Sequence, residues 1–314
     1  MFDMLPNEWT PTVPLTDLDG DGPFRIEIAG GAVVAFRQPD GQLTTLIDRC
    51  PHRSALLSNG TVQSDGLLRC SYHGWRFDDA GTCRQVPLND ISEEHRQKLC
   101  ATRVPCTELA GCLWIYTGAL TDSHPELPDS LTGDPTRFHV ATETWNIHWT
   151  RAVENFIDFS HLAYVHEKTI GGFMHQGAEN GAVVSSRIDE TSWGFINTHG
   201  FGKGPEFRFD WYRPNRTTLH FGPTDESKLN IFSVPINAEL TRIMTCRKLP
   251  EGAELSEWQK AHEAAGNPVL GEDRLIVEAQ PGAIKTDGSE LSVPTDGPTV
   301  AFRRWYREAV EDAA

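Results

Sequence analysis

The sequence predicts two domains, residues 1–118 and 119–314, the first all-β and the second α+β with an antiparallel sheet wrapped around a helix. Three observations lead there. Short apolar runs fill the first third, each bounded by Gly, Asp, Asn or Pro turn signals. Composition shifts to Thr, Asp, Ser, Pro and Gly over Thr117–Pro135, as expected of an inter-domain boundary. Beyond it, several β-type segments are bracketed by helical patterns, the signature of an α+β unit.

The strands expected in the first unit are Phe24–Ala29, Ala32–Arg37, Leu43–Ile47, Gly66–Cys70 and Leu113–Tyr116, with turns at Asp19-Gly20-Asp21-Gly22 and Pro39-Asp40-Gly41. The second unit opens with a strand over His139–Trp145 and a helical stretch over Trp149–His166. Strands are then expected at Val183–Ile188, Trp193–His199, Phe207–Tyr212, Thr217–Phe221, Leu229–Val234 and Leu240–Arg247. Helices are expected over Glu254–Ala265 and Pro298–Ala309.

With 314 residues, 39% hydrophobic and 23% charged, the chain has the composition of a globular protein large enough for two cores. A net charge of −16 argues against a nucleic-acid binder, because phosphate recognition needs a basic face. No apolar run reaches the roughly 18–20 residues of a membrane span, and no signal peptide is read at the N-terminus. The seven cysteines are an odd number, which with no export signal favours metal ligation over disulfides and a cytoplasmic location.

The strongest motif is Cys50-Pro51-His52 followed, after residues 53–69, by Cys70-Ser71-Tyr72-His73-Gly74-Trp75. Two loops each offering a thiolate and an imidazole suit a Rieske [2Fe-2S] centre, in which two cysteines hold one iron and two histidines the other. A structural zinc is the rival, although zinc loops usually pair Cys with Cys and His with His. Gly74 permits close backbone approach, and Trp75 and Tyr72 could shield the site. The remaining cysteines read as ordinary core or surface thiols. Arg53, Arg69, Arg76 and Arg84 read either as a docking surface for an acidic electron donor or as simply solvated.

The second motif runs from Glu154 to His166 and contains Asn155, Asp158, His161 and His166. Two histidines and a carboxylate on one face make the site of a non-haem Fe(II) oxygenase, with open positions for O2 and substrate. Five residues separate the histidines, a spacing that overshoots one α-helical circle by about 140°. The helix is therefore expected to bulge or end near here, unless the imidazoles reach around it. The third ligand must come from farther along. Asp273 in Gly271-Glu272-Asp273-Arg274 is the candidate, with Glu272 and Glu278 as rivals; the bland alternative is that the acidic pair merely favours a helix N-terminus.

Together these motifs resemble the Rieske non-haem iron oxygenases, oxygenase (alpha) component, and within them the monooxygenase branch of the dicamba and vanillate demethylases. The resemblance spans nearly the whole chain. It implies that Cys50, His52, Cys70 and His73 bind the cluster and that His161, His166 and Asp273 bind the mononuclear iron. It implies that Asp158 bridges His161 to His73 of the partner subunit, and that Asn155 sits near the iron without being a firm ligand. It further implies a helix-grip catalytic domain and a homotrimer. Ser71 departs from the family, many of whose members have proline there.

The activity expected on these grounds is that of an oxygenase using O2 and electrons from a separate flavin reductase or ferredoxin. Its substrate would be a small organic molecule, aromatic or cyclic, and its reaction hydroxylation or oxidative demethylation. The alternatives are a cis-dihydroxylating ring dioxygenase and a non-enzymatic electron carrier. No Gly-x-Gly-x-x-Gly fingerprint opens a βαβ unit, so nicotinamide is not expected to bind here. Pocket residues are expected from the strands between Val183 and Arg247, where Phe195, Phe201, Phe207, Phe209, Trp211 and Phe232 occur and Asn197, His199, His220 and Asn230 are candidate polar orienters.

Overall fold

The computed structural model describes residues 2–5, 7–119 and 123–311; residues 120–122 of the expected linker lie outside the described residues. The chain forms two compact units, one of residues 1–128 and 132–135, the other of residues 129–131 and 136–314. No helix among the described residues is long and apolar enough to cross a membrane.

The first unit is built from short antiparallel strands: β1 (Trp9–Pro14), β2 (Phe24–Ile28), β3 (Gly31–Arg37), β4 (Leu43–Ile47), β5 (Thr61–Val62), β6 (Leu68–Arg69), β7 (Arg76–Phe77), β8 (Cys83–Gln85), β9 (Arg103–Val104), β10 (Cys106–Leu109) and β11 (Cys112–Tyr116). They make three sheets, ordered β1-β11-β10, β2-β3-β4-β9 and β5-β6-β7-β8. One short helix, α1 (Glu93–Gln97), is capped by the Ser92 hydroxyl. The Cys50–His52 loop follows β4 of the second sheet and the Cys70–His73 loop joins β6 to β7 of the third, and one core joins Leu57, Leu68 and Phe77 to Val34, Phe36 and Leu46. Val33–Phe36 are buried without alternation, as expected of a strand covered on both faces.

The second unit is a single antiparallel sheet of β12 (Phe138–Trp145), β13 (Val184–Thr191), β14 (Gly194–Phe201), β15 (Glu206–Tyr212), β16 (Arg216–His220), β17 (Lys228–Pro235) and β18 (Thr241–Lys248). The spatial order is β12-β18-β17-β16-β15-β14-β13, so the long excursion between β12 and β13 carries the helices. That excursion contains α2 (Trp149–Ile157), α3 (Leu162–Val165) and α4 (Gly172–Glu179); α5 (Leu255–Ala265), α6 (Pro268–Val277) and α7 (Gly297–Glu311) follow the sheet.

Helix α2 is almost wholly buried because it is sandwiched. Ala152 and Phe156 share one cluster with Trp145, Ile231 and Ile243 of the sheet and with Leu270 and Val277 of α6. Phe302 of α7 is fully buried and meets Trp149 and Trp211 edge-on, at 6.2 and 5.2 Å. The expected helix over Trp149–His166 is broken into α2 and α3. Asp158 ends α2 in extended geometry (φ −79°, ψ 142°), which turns the chain so that His161 and His166 converge.

Candidate metal centres

The two Cys/His loops share one backbone design. The Cys50 N–H donates to the Ala55 carbonyl at 2.8 Å and the Ser54 N–H to the Cys50 carbonyl at 2.9 Å; Cys70 with Trp75 and Gly74 with Cys70 repeat this at 2.8 and 3.1 Å. The fourth residue after each cysteine takes a left-handed conformation, Ser54 at φ 57° and Gly74 at φ 70°. Glycine accepts that geometry freely, and at Gly74 an added Cβ would also press on Pro87 at 3.3 Å.

The loops bring together all four expected side chains. Cys50 and Cys70 are buried and unbridged. His52 and His73 are exposed at the loop tips, their rings 4.6 Å apart. Trp75 is buried and stacks flat on His52 at 4.6 Å, whereas Tyr72 leans on His73 but stands in solvent, so only Trp75 shields the site. Burial pushes the Cys50 thiol up to about 11, with Cys70 beside it. The Cys50 thiol, which burial keeps protonated, becomes a thiolate when a metal takes the place of its proton. The donor set, two sulfurs inside and two nitrogens at the surface, fits a cluster held by two cysteines and two histidines. Of the four nearby arginines, Arg76 is paired with Asp65 and Arg84 with Asp78, while Arg53 and Arg69 are exposed.

In the second unit His161, His166 and Asp273 could hold one metal ion, since a ligand atom from each lies within 4.8 Å of the others. Asp273 is delivered by α6, whose start is fixed by Pro268 in the first turn and by the Asn267 side chain accepting the Leu270 N–H at 3.2 Å. Asp273 Oδ1 lies 3.1 Å from His166 Nε2 and 3.4 Å from His161 Nε2, yet it is buried and hydrogen-bonded to neither.

The outer nitrogens explain this. His161 Nδ1 faces Asp158 Oδ2 at 3.2 Å, and His166 Nδ1 faces Glu272 Oε2 at 2.8 Å. Each Nδ1 carries its proton toward a carboxylate, which leaves both Nε2 lone pairs aimed at Asp273. Three acceptors converging on one point fit a cation. Where only a proton is available, burial lowers the His161 pKa but the Asp158 and Asp273 carboxylates outweigh it, raising it to about 9. Burial likewise pushes Asp273 up, and the two imidazoles overcome it to hold Asp273 at about 2.

Further residues brace the site. Asp158 also accepts the His161 and Ser160 backbone N–H groups at 3.1 and 2.9 Å. Asn155 is one turn earlier on α2, with its amide nitrogen buried and unpartnered. Of the two rivals of Asp273, Glu272 contacts His166 and accepts the Thr169 hydroxyl at 2.7 Å. Glu278 instead accepts the Asn146 N–H at 2.7 Å and pairs with Arg274. Gly171 donates to the His166 carbonyl at 2.8 Å, and a Cβ there would sit 1.7 Å from the Leu162 carbonyl. Arg151, which is buried, and the partly exposed Glu154, Glu290 and Arg303 form a charge network that ties α2 to α7. Glu272, Gly171 and this network have no local sequence pattern that assigns their roles.

Comparison with known proteins agrees with this geometry. Residues 8–100 match the Rieske [2Fe-2S] domain, and residues 145–312 match the vanillate O-demethylase oxygenase C-terminal domain. Methylxanthine N3-demethylase NdmB of Pseudomonas putida is 30% identical over 96% of this chain and 88% of its own length. Methylxanthine N1-demethylase NdmA of the same organism is 28% identical with the same coverage. The solved structure of NdmA with caffeine superposes with a TM-score of 0.75 at 26% identity, over 96% of this chain and 90% of that one. Dicamba monooxygenase bound to dicamba, at 19% identity and a TM-score of 0.72, shares the fold. With a cluster domain and an oxygenase domain matched in order, and a full-length relative at 30% identity, this chain belongs to the Rieske non-haem iron oxygenases as an oxygenase component.

Proposed function

We propose that the chain is a monooxygenase that hydroxylates or oxidatively demethylates a small planar substrate, with Cys50, His52, Cys70 and His73 binding the cluster and His161, His166 and Asp273 the mononuclear iron. The observation that carries this reading is the convergence of two Nε2 lone pairs and the Asp273 carboxylate on one buried point. When bound, the cluster supplies single electrons and the iron activates dioxygen.

The chain's own residues do the rest. Asp158 and Glu272 hold the Nδ1 protons of His161 and His166, so that each Nε2 stays aimed at the point shared with Asp273, where a bound metal ion would take the place of a proton. Asn155 keeps a buried donor beside the ligands without ligating. Phe159, next to Asp158, packs on Phe207 and Phe209 of β15 with ring centroids 5.0 and 5.8 Å apart, an apolar cluster beside the ligand-bearing segment.

As a family member the protein takes its electrons from a reductase or ferredoxin. The finer reading is a cytoplasmic homotrimer in which residues 1–118 serve as cluster domain and 119–314 as catalytic domain. There Asp158 bridges His161 to His73 of the partner subunit. The solvent-exposed imidazoles at the loop tips and the partly open Asp158 side chain support this relay. The demethylase names of the full-length relatives favour monooxygenation over dihydroxylation.

The test is turnover of methoxylated and N-methylated aromatics in 18O2 with a reductase. One labelled oxygen entering the hydroxylated carbon, with formaldehyde released from methyl substrates, is expected. A cis-diol carrying both atoms would replace the reading with the dioxygenase one.

A further inference from the structure

His199 of β14 is 1% exposed, stacked on Phe159 at 4.6 Å and 11°, and edge-on to Phe209 at 5.5 Å. Phe159 directly follows Asp158, so this ring lies against the segment that carries the candidate iron ligands. Its tautomer is set by its neighbours. The Ile157 carbonyl can only accept, so the Asn197 side-chain atom 3.3 Å from it is the amide nitrogen. The Asn197 oxygen then accepts the Ser186 hydroxyl at 3.1 Å. That same Asn197 nitrogen lies 2.6 Å from His199 Nε2, which must accept. The ring proton is therefore on Nδ1, and Nδ1 is buried without a partner. Burial holds the His199 pKa down at about 4, outweighing the field of Asp158, so the ring is neutral at physiological pH.

A chain of three side chains thus ends in a donor that protein groups leave unused. Such a buried donor is costly unless something completes it. We propose that His199 is a specificity-determining residue whose Nδ1–H binds a neutral carbonyl-type acceptor on a planar substrate, a role that rests on the His161–His166–Asp273 centre being the reaction site. An anionic acceptor fits less well, because Asp158 is the charged group that acts on this ring among the described residues. A substrate offering only donors would leave Nδ1–H unpaired.

The experiment is anaerobic calorimetric titration of the fully iron-loaded oxygenase with three probes of similar size: 4-methoxyacetophenone, 4-ethylanisole and 4-methoxybenzoate. Wild type is expected to bind the ketone about tenfold more tightly than the hydrocarbon, a typical hydrogen-bond difference, and more tightly than the carboxylate. His199→Phe keeps the stacking and should erase the preference for the ketone. His199→Asn restores a neutral N–H near the Nδ1 position and should keep most of it, which a merely structural role for the ring would not do. Equal affinity for ketone and hydrocarbon, no binding of the ketone, or a retained preference in His199→Phe overturns the proposal. If His199→Phe does not fold, the wild-type comparison and His199→Asn decide it. A wild type that prefers the ketone yet releases no oxidised product with reductase and O2 would defeat the oxygenase reading and leave the donor role standing.

Discussion

Glu272 Oε2 lies 2.8 Å from His166 Nδ1 and 2.7 Å from the Thr169 hydroxyl, so the carboxylate beside Asp273 in sequence orients a histidine that faces Asp273 in space. Neighbours on one helix thereby serve different layers of the same site. Glu272→Gln is expected to weaken iron binding about 10- to 100-fold without abolishing it. Iron titration of the apo-protein, with the cluster intact, measures this; unchanged affinity would remove Glu272 from the site's support.

Asp158 does the same for His161 while remaining partly open to solvent. Asp158→Asn keeps the shape and loses the charge. Both centres should stay loaded and the cluster should remain reducible, but product should fall by orders of magnitude. Single-turnover reoxidation of the reduced cluster, with substrate and oxygen present, is the readout. Reoxidation at the wild-type rate would show that electrons travel by another route.

Gly171 closes the turn behind His166, and its missing Cβ is what lets the Leu162 carbonyl approach. Gly171→Ala must push α3 and α4 apart, so His166 should lose its aim. The expected outcome is loss of mononuclear iron with an unchanged visible cluster spectrum, and a Tm drop of several degrees. Full iron occupancy in Gly171→Ala would mean that the turn adapts.

Acid sensitivity has a definite sign at His199. Its folded pKa, about 4, lies below the unfolded value of about 6.5, so the unfolded chain binds the proton more readily. The stability tied to the neutral ring is present above pH 6.5 and is lost as pH falls toward 4. Between pH 7.5 and 5.5 wild type should lose about 1 kcal/mol more than His199→Asn, which has no proton to take up. Denaturant titrations at the two pH values check this; a pH-independent difference between the two proteins would contradict it.

The sequence is most legible where chemistry is local. Both Cys/His loops are set by residues within a few positions of each other, and the awkward five-residue spacing of His161 and His166 points to a helix that bulges or ends nearby, as α2 does at Asp158 and α3 at His166. The strands of the large sheet track their alternating or apolar runs to within a few residues. The features hidden from the sequence depend on pairs far apart in the chain. Glu272 meets His166 across 106 positions and Glu154 meets Arg303 across 149, and neither contact leaves a periodic trace. Helix α4 has no clear signature because its sequence, Gly172–Glu179, has two glycines and little apolar pattern. The orphan Nδ1 of His199 is visible only with Asn197, Ser186 and Ile157 in place around it.

The central claim is that one chain holds two different iron centres, and metal analysis of Asp273→Ala beside wild type tests it most directly. Wild type should contain roughly three irons and two acid-labile sulfides per chain, without stoichiometric zinc. Asp273→Ala should retain the two cluster irons and the unchanged visible spectrum while losing the third. Zinc in place of the cluster iron, or full iron content in Asp273→Ala, would contradict the account.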